Sequence, residues 1–225
     1  MKQETLKHPE NYPEEYITWK VNFFGRDFIV TPDVLIPRLE TEGLVRRARN
    51  ILQSPITSHQ LPVTIIDIGC GSGIIWASCA DLADEVIFLD ISPEALEVAE
   101  KNFRTYFGEK KAQFIVSDLL ENYLPPENSL LLANLPYIKW WDWKNMSEDT
   151  HFEPELALFW GDETGFEIYE RLFEQIENMK YRWCMIIEFG FDQREIAEKI
   201  IKNYGWKYDF FADYGGIERF CEVIL

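Results

Sequence analysis

The segment Val63-Thr-Ile-Ile-Asp67-Ile-Gly69-Cys-Gly71-Ser-Gly73, followed by Ile74-Ile-Trp-Ala-Ser-Cys-Ala, constrains the fold of this chain more than any other. A short apolar run that enters a glycine turn and then a second apolar run reads as strand, loop and helix, the opening unit of a parallel α/β sheet. Gly69 and Gly71 let the backbone come close to a ligand at the helix N-terminus, and Gly73 permits close helix packing. The spacing also discriminates. A dinucleotide-binding Gly-x-Gly-x-x-Gly would need glycine at position 74, which is Ile74. Asp67, just before the loop, suits ordered water or an ammonium group better than a pyrophosphate.

The segments that follow repeat the strand-and-acid pattern. Glu85 to Leu89 reads as a strand closed by Asp90, which lies 17 positions beyond Gly73. An acid at that distance matches one that hydrogen-bonds a ribose diol, and Ser92-Pro93-Glu94 opens the next helix. Ala112 to Ser117 is a third strand that ends in Asp118, placed to meet an adenine edge. Taken singly, each acid reads as a helix cap or surface charge. Three in register behind a glycine loop point to a nucleoside site.

The fourth strand carries the reactive end. Leu130-Leu-Leu-Ala133 runs into Asn134-Leu135-Pro136-Tyr137, a buried strand that delivers an amide, a proline-stiffened turn and an aromatic ring to the sheet edge where open α/β sheets bind ligands. Asn134 offers an amide oxygen. The Leu135 carbonyl is kept out of a regular ladder because Pro136 has no N–H. Two acceptors at one spot suit an incoming planar –NH2 group, and Tyr137 is placed to cover it by stacking.

Composition limits the alternatives. The chain has 225 residues, enough for one sizeable α/β domain with a short extension. No apolar run is long enough for a membrane span and the polar N-terminus lacks a signal core. The 39 acidic residues against 22 basic, a formal net charge of -17, work against broad contact with nucleic acid. Cys70, Cys79, Cys184 and Cys221 are widely spaced with no Cys-x-x-Cys and no neighbouring His, so no metal site is expected. Reduced thiols in a cytoplasmic protein are the corresponding expectation.

Residues 1–15 read as a flexible lead-in, 16–40 as a β-hairpin and linker, and 41–225 as the main domain. Thr41 is a candidate helix cap for Gly43 to Leu52. Arg38 and the acids around it stay open between a solvated helix start and a role at the site. Ser54 to Pro62 reads as a polar loop, and Trp140, Trp141 and Trp143 as a lid, a partner-facing patch or simple packing under a loop. Phe166 to Met179 and Asp192 to Tyr204 have helical periodicity. Tyr181 to Phe189 is a strand, and Tyr208 to Ala212 with Arg219 to Leu225 forms a closing hairpin.

A βα order, an adenosine-type site without a phosphate loop, and an –NH2 cradle point to S-adenosylmethionine as cofactor. No Cys–His or Ser–His pair lies near these motifs, so direct transfer to nitrogen is the simpler mechanism.

Val34-Leu-Ile-Pro-Arg-Leu-Glu-Thr-Glu, Asp67-Ile-Gly-Cys-Gly-Ser-Gly, Asn134-Leu-Pro-Tyr-Ile, Glu153-Pro154, Ala157-Leu158 and Gly165-Phe-Glu-Ile-Tyr169 together resemble the HemK-type (PrmC-like) glutamine methyltransferases of peptide-chain release factors. The resemblance runs from about Trp19 to the C-terminus. It implies a class I S-adenosylmethionine-dependent methyltransferase with a Rossmann-like seven-stranded sheet, a C-terminal antiparallel hairpin and, here, a small N-terminal β-hairpin. It also implies transfer to the glutamine of a Gly-Gly-Gln loop, with a release factor as protein partner and cofactor contacts at Asp67, Gly69, Asp90 and Asp118. Three departures stand out. The usual Asn-Pro-Pro-Tyr has Leu135 at its second place, which keeps both acceptors but loses one φ restraint. Trp160 replaces a common glycine, with one residue added before Gly165. Set against the resemblance, the N-terminal helical domain that typically helps dock the release factor is expected to be missing, since only about 18 residues precede the hairpin. Two rival readings remain: an adenine or other exocyclic-amine nucleic acid methyltransferase, which should carry a basic face, and a catalytically inactive cofactor-binding scaffold.

Overall fold

The computed structural model describes residues 8–54, 63–127, 129–179 and 184–225. The expected polar loop at 55–62 and the first residues of the expected strand at 181–183 lie outside them.

Four apolar runs form the centre of the sheet: β3 (Thr64–Ile68), β4 (Glu85–Asp90), β6 (Ser129–Asn134) and β7 (Cys184–Glu188). Being buried on both faces, they pair in parallel, whereas β5 (Ala112–Val116) lies at the edge. The C-terminal strands β8 (Lys207–Ala212) and β9 (Glu218–Ile224) form the antiparallel hairpin, and β9 also pairs antiparallel with β7. The seven-stranded order is β5-β4-β3-β6-β7-β9-β8. It reverses between β3 and β6, the switch point where such sheets open a crevice.

Side-chain alternation sends Ile65 to one face and Ile66 and Ile68 to the other. The first face is covered by α2 (Glu42–Leu52), the short α3 (Ile74–Ala77) and α4 (Pro93–Phe107), through Leu44, Val45, Ala77, Ala99 and Phe103. The second is covered by α5 (Glu167–Met179) and α6 (Arg194–Tyr204), through Tyr169, Leu172, Phe173, Ala197 and Ile201. α4 shows its sequence signals plainly. Pro93 opens it, the Ser92 hydroxyl accepts from the Ala95 N–H at 3.1 Å, and Gly108 ends it at φ 54°.

The N-terminal hairpin is shorter than expected. Glu14–Thr18 forms a one-turn helix, α1, and pairing is confined to β1 (Val21–Phe23) and β2 (Arg26–Phe28). Pro13 pre-sets the backbone for that turn, and burying Tyr16, whose hydroxyl donates to the Val34 carbonyl at 2.6 Å, outweighs extension of the strand. The stretch before it, expected as a flexible lead-in, is packed where described: Asn11 donates to Glu148 and the Tyr12 ring meets Phe152 edge-on.

From β2 the chain continues as a strap over the C-terminal ends of the strands. Buried Asn102 of α4 fastens its start. The amide accepts from the Ile29 N–H at 2.7 Å and donates to the carbonyls of Ile29 at 2.9 Å and Ser72 at 2.8 Å, so one side chain joins helix, strap and glycine loop.

Gly73 carries the expected packing role. A Cβ there would fall 2.9 Å from Ala99 Cβ and 3.0 Å from Phe88 Cε1, at φ +72°. Gly73→Ala therefore combines left-handed strain with overpacking and should cost about 2–4 kcal/mol, read as a lower urea midpoint at an unchanged slope. A midpoint equal to that of the parent would refute this packing account.

Candidate functional site

The parallel pairing Ile68↔Ala133 makes the glycine loop and the Asn-Leu-Pro-Tyr loop leave the sheet side by side. They touch directly, since a Cβ on Gly69 would fall 2.6 Å from Leu135 Cδ2. Above them lies a cavity of about 280 Å³. Its floor includes Gly69, Gly71, Asp90, Asp118, Asn134, Leu135 and Pro136; its roof is the strap from Pro32 to Arg38, together with Pro154, Leu156, Ala157 and Trp160.

Two residues expected at the cofactor do not line this cavity. Asp67 is fully buried on the Ile65 face of β3, because alternation along the strand turns it toward the side covered by α2, α3 and α4. Gly73 points into the α4 contact already described.

Asp90 stands at the end of β4, where its carboxylate accepts the Gly71 N–H at 2.8 Å and the Ser92 N–H at 2.9 Å. Burial raises its pKa and those two backbone donors pull it back. Each oxygen keeps a lone pair for another donor. Asp118 is less free than expected. Arg171 of α5 donates to its Oδ2 at 2.7 Å and lies over the Trp160 ring, which leaves Oδ1.

At the end of β6 the Asn134 amide nitrogen donates to the Thr41 hydroxyl at 3.3 Å, which directs the amide oxygen elsewhere. Thr41 stands at the N-cap position of α2, yet its side chain makes no cap bond; its hydroxyl serves Asn134 instead. Among the described residues no protein donor is bonded to Asn134 Oδ1 or to the Leu135 carbonyl. The loop is held from below. The Tyr169 hydroxyl accepts the Leu135 N–H at 3.0 Å, and the Gln193 amide donates to the Tyr137 carbonyl at 2.9 Å and the Thr164 carbonyl at 2.8 Å. Tyr137 lies outside the cavity wall, beside Gly190 and within the field of Glu188; burial raises its pKa.

Arg38 is neither a solvated helix start nor a free cation. It lines the cavity and donates to Glu153 at 2.5 Å, while the other carboxylate oxygen of Glu153 accepts the Ile36 N–H at 3.1 Å. Glu153 thus fastens the far end of the strap. The tryptophans divide: Trp140 stacks on Phe159 and Trp143 on His151, while Trp141 is exposed and donates its indole N–H to the Asp162 carbonyl.

Glu188 is the residue that the sequence reading passed over. It faces Asn134 in register on β7 and is 2% exposed. Burial pushes its carboxyl up to about 7, a rise that the Thr41 side chain, the Arg219 charge and the Asn134 amide reduce and that Glu40 reinforces. Because the folded pKa lies above the unfolded one, its contribution to stability is present below the ordinary glutamate range and is lost as pH rises toward about 7. The urea midpoint of the parent should therefore fall relative to that of Glu188→Gln between about pH 5 and 7, then run parallel to it. Parallel curves over the whole range would refute that environment.

Residues 65–148 match a family model described as a methyltransferase domain. A release factor glutamine methyltransferase of Koribacter versatilis is 33% identical over 92% of this chain and 72% of its own length. The enzyme of that name from Bacillus subtilis is 31% identical over 99% of this chain and 79% of its own. Among solved structures, the N-terminal domain of human METTL16 in complex with SAH superposes with a TM-score of 0.60 at 15% identity, over 89% of this chain and 76% of that one. That likeness shows the fold; together with the family match it makes the seven-stranded sheet that of a class I methyltransferase. The two relatives go further: the chain belongs to the release factor glutamine methyltransferase family.

Proposed function

We propose that the protein transfers a methyl group from S-adenosylmethionine to the side-chain amide nitrogen of a glutamine, within the Gly-Gly-Gln loop of a peptide-chain release factor. The observation that carries this reading is the pair of acceptors at the end of β6, Asn134 Oδ1 and the Leu135 carbonyl, neither bonded to a protein donor among the described residues and both beside the cavity.

The cavity fits the cofactor. Its wall has an acid at the end of β4, and a Cβ on Gly71 would meet no atom within 4 Å, so the glycine leaves that space to a ligand. Gly69 and Gly71 would lie along the cofactor, Asp90 would hold its ribose diol, and Asp118 Oδ1 would meet the adenine edge. When bound, the cofactor supplies an electrophilic methyl group. Asn134 Oδ1 and the Leu135 carbonyl each accept one N–H of the substrate amide, which turns the nitrogen lone pair toward the cavity and stabilises the positive charge that develops there. The Tyr137 ring, off the cavity wall beside Gly190, packs behind the loop, and Pro136 with Gln193 keeps the turn from relaxing. Holding both partners in line is worth up to roughly 7 to 11 kcal/mol in favourable cases. Arg38 acts through Glu153 by closing the strap over the site. The net charge of -17 disfavours the rival reading in which a nucleic acid base is the acceptor.

Incubation with methyl-labelled S-adenosylmethionine and a release factor, followed by peptide mass spectrometry, should place label on the Gly-Gly-Gln glutamine; label on nucleic acid instead would overturn the reading. Asn134→Ala should lower kcat by about 100-fold or more while cofactor affinity stays within a few-fold. Asp90→Ala should do the reverse, weakening cofactor binding about tenfold or more in calorimetry. Parallel loss of both functions in either variant would make that residue structural.

A further inference from the structure

We propose that the Tyr169 hydroxyl is the positioning group of the acceptor loop in this chain, setting the Leu135 peptide by a hydrogen bond where the usual family sequence uses a proline ring. The proposal rests on the reading of the Leu135 carbonyl as one of the two acceptors.

Leu135 is the least restrained residue of the loop by sequence and one of the most constrained by structure. Pro136 behind it favours extended geometry at Leu135, which limits ψ, but nothing in the local sequence limits φ as a proline at 135 would. The missing restraint comes from α5. Helical periodicity turns Tyr169 inward with Phe166, Leu172 and Phe173, and the side chain is fully buried. Its hydroxyl accepts the Leu135 N–H at 3.0 Å and donates to the Glu188 carbonyl, with the Ala133 carbonyl also in reach at 3.3 Å. One oxygen thus refers the Leu135 peptide to the ends of both β6 and β7. The Leu135 side chain packs under Gly69. Rotation at φ would break the N–H bond and swing the carbonyl of the same residue away from the site.

The bond has a chemical asymmetry that makes the role testable. A proline at 135 has no N–H, so the hydroxyl would lose a donor but keep its own donation to Glu188. Removing the hydroxyl from a chain with Leu135 strands a buried N–H, and removing it from a chain with proline strands none.

The test is a double-mutant cycle of the full chain, Tyr169→Phe and Leu135→Pro, singly and together, with a release factor as substrate. Tyr169→Phe should lower kcat about tenfold or more with cofactor Kd within about twofold; in the Leu135→Pro background the same change should alter kcat by less than about threefold. Equal losses in both backgrounds overturn the proposal, as does a loss of cofactor affinity in step with kcat. Hydrogen exchange of the Leu135 amide, measured on folded protein, keeps the cycle decisive if turnover is low. Protection should fall in Tyr169→Phe, and unchanged protection also overturns the proposal. A parent protein that binds cofactor but leaves the release factor unlabelled would instead overturn the functional reading, and the positioning role with it, even where the amide is protected.

Discussion

The parallel contact between β3 and β6 is the constraint on which the site depends. Its register carries the glycine loop and the Asn134 loop off the sheet together, and the absence of a Cβ at Gly69 is what lets Leu135 lie beneath it. A side chain at 69 would either displace Leu135 or separate the strands, and either change would move the cofactor wall relative to the two acceptors. The crevice at the strand-order reversal is thus one packed unit, in which ligand-facing backbone and acceptor loop share a buried floor.

Four buried polar side chains then fasten the loops that the sheet leaves free. Asn102 ties the strap to the glycine loop, and Glu153 ties its far end through Ile36 and Arg38. Tyr169 holds Leu135, and Gln193 holds Tyr137 and Thr164. Each joins segments far apart in sequence, and all but the Arg38 contact go to backbone groups, the pattern expected where irregular chain must be buried without losing its hydrogen bonds. Net stability from each bond is modest, but breaking one strands a buried partner, so such networks resist loop motion more than their stability contribution implies.

Charge is placed with similar economy. The acids around the site are each met by a partner: Asp90 by two backbone N–H groups, Asp118 by Arg171 and Glu153 by Arg38. Glu188, like Asp90, makes no ion pair among the described residues, and burial raises its carboxyl to about 7. Its neighbours on β6 and at the start of α2 meet it with Asn134 and Thr41, so the amide of the acceptor loop belongs to the same polar cluster.

The sequence by itself determined the order of strands and helices, the glycine loop with the acids after β4 and β5, and the Asn134 loop at the end of β6. Those features follow from apolar periodicity and turn chemistry within a few residues. The family was legible in the spacing of its motifs, and the relatives bear it out. Only the tertiary structure decided which way side chains turn and whom they meet. It moved Asp67 and Gly73 off the cavity wall, gave the Thr41 hydroxyl to Asn134 instead of the helix start, shortened the hairpin in favour of burying Tyr16, and brought Glu188, Tyr169 and Gln193 under the acceptor loop. The physical reason is distance along the chain. Tyr169 and Leu135 lie 34 positions apart, Thr41 and Asn134 93 apart, and Glu153 and Ile36 117 apart. A hydrogen bond across such gaps has no local periodicity to announce it, and forms only once the sheet has set the register.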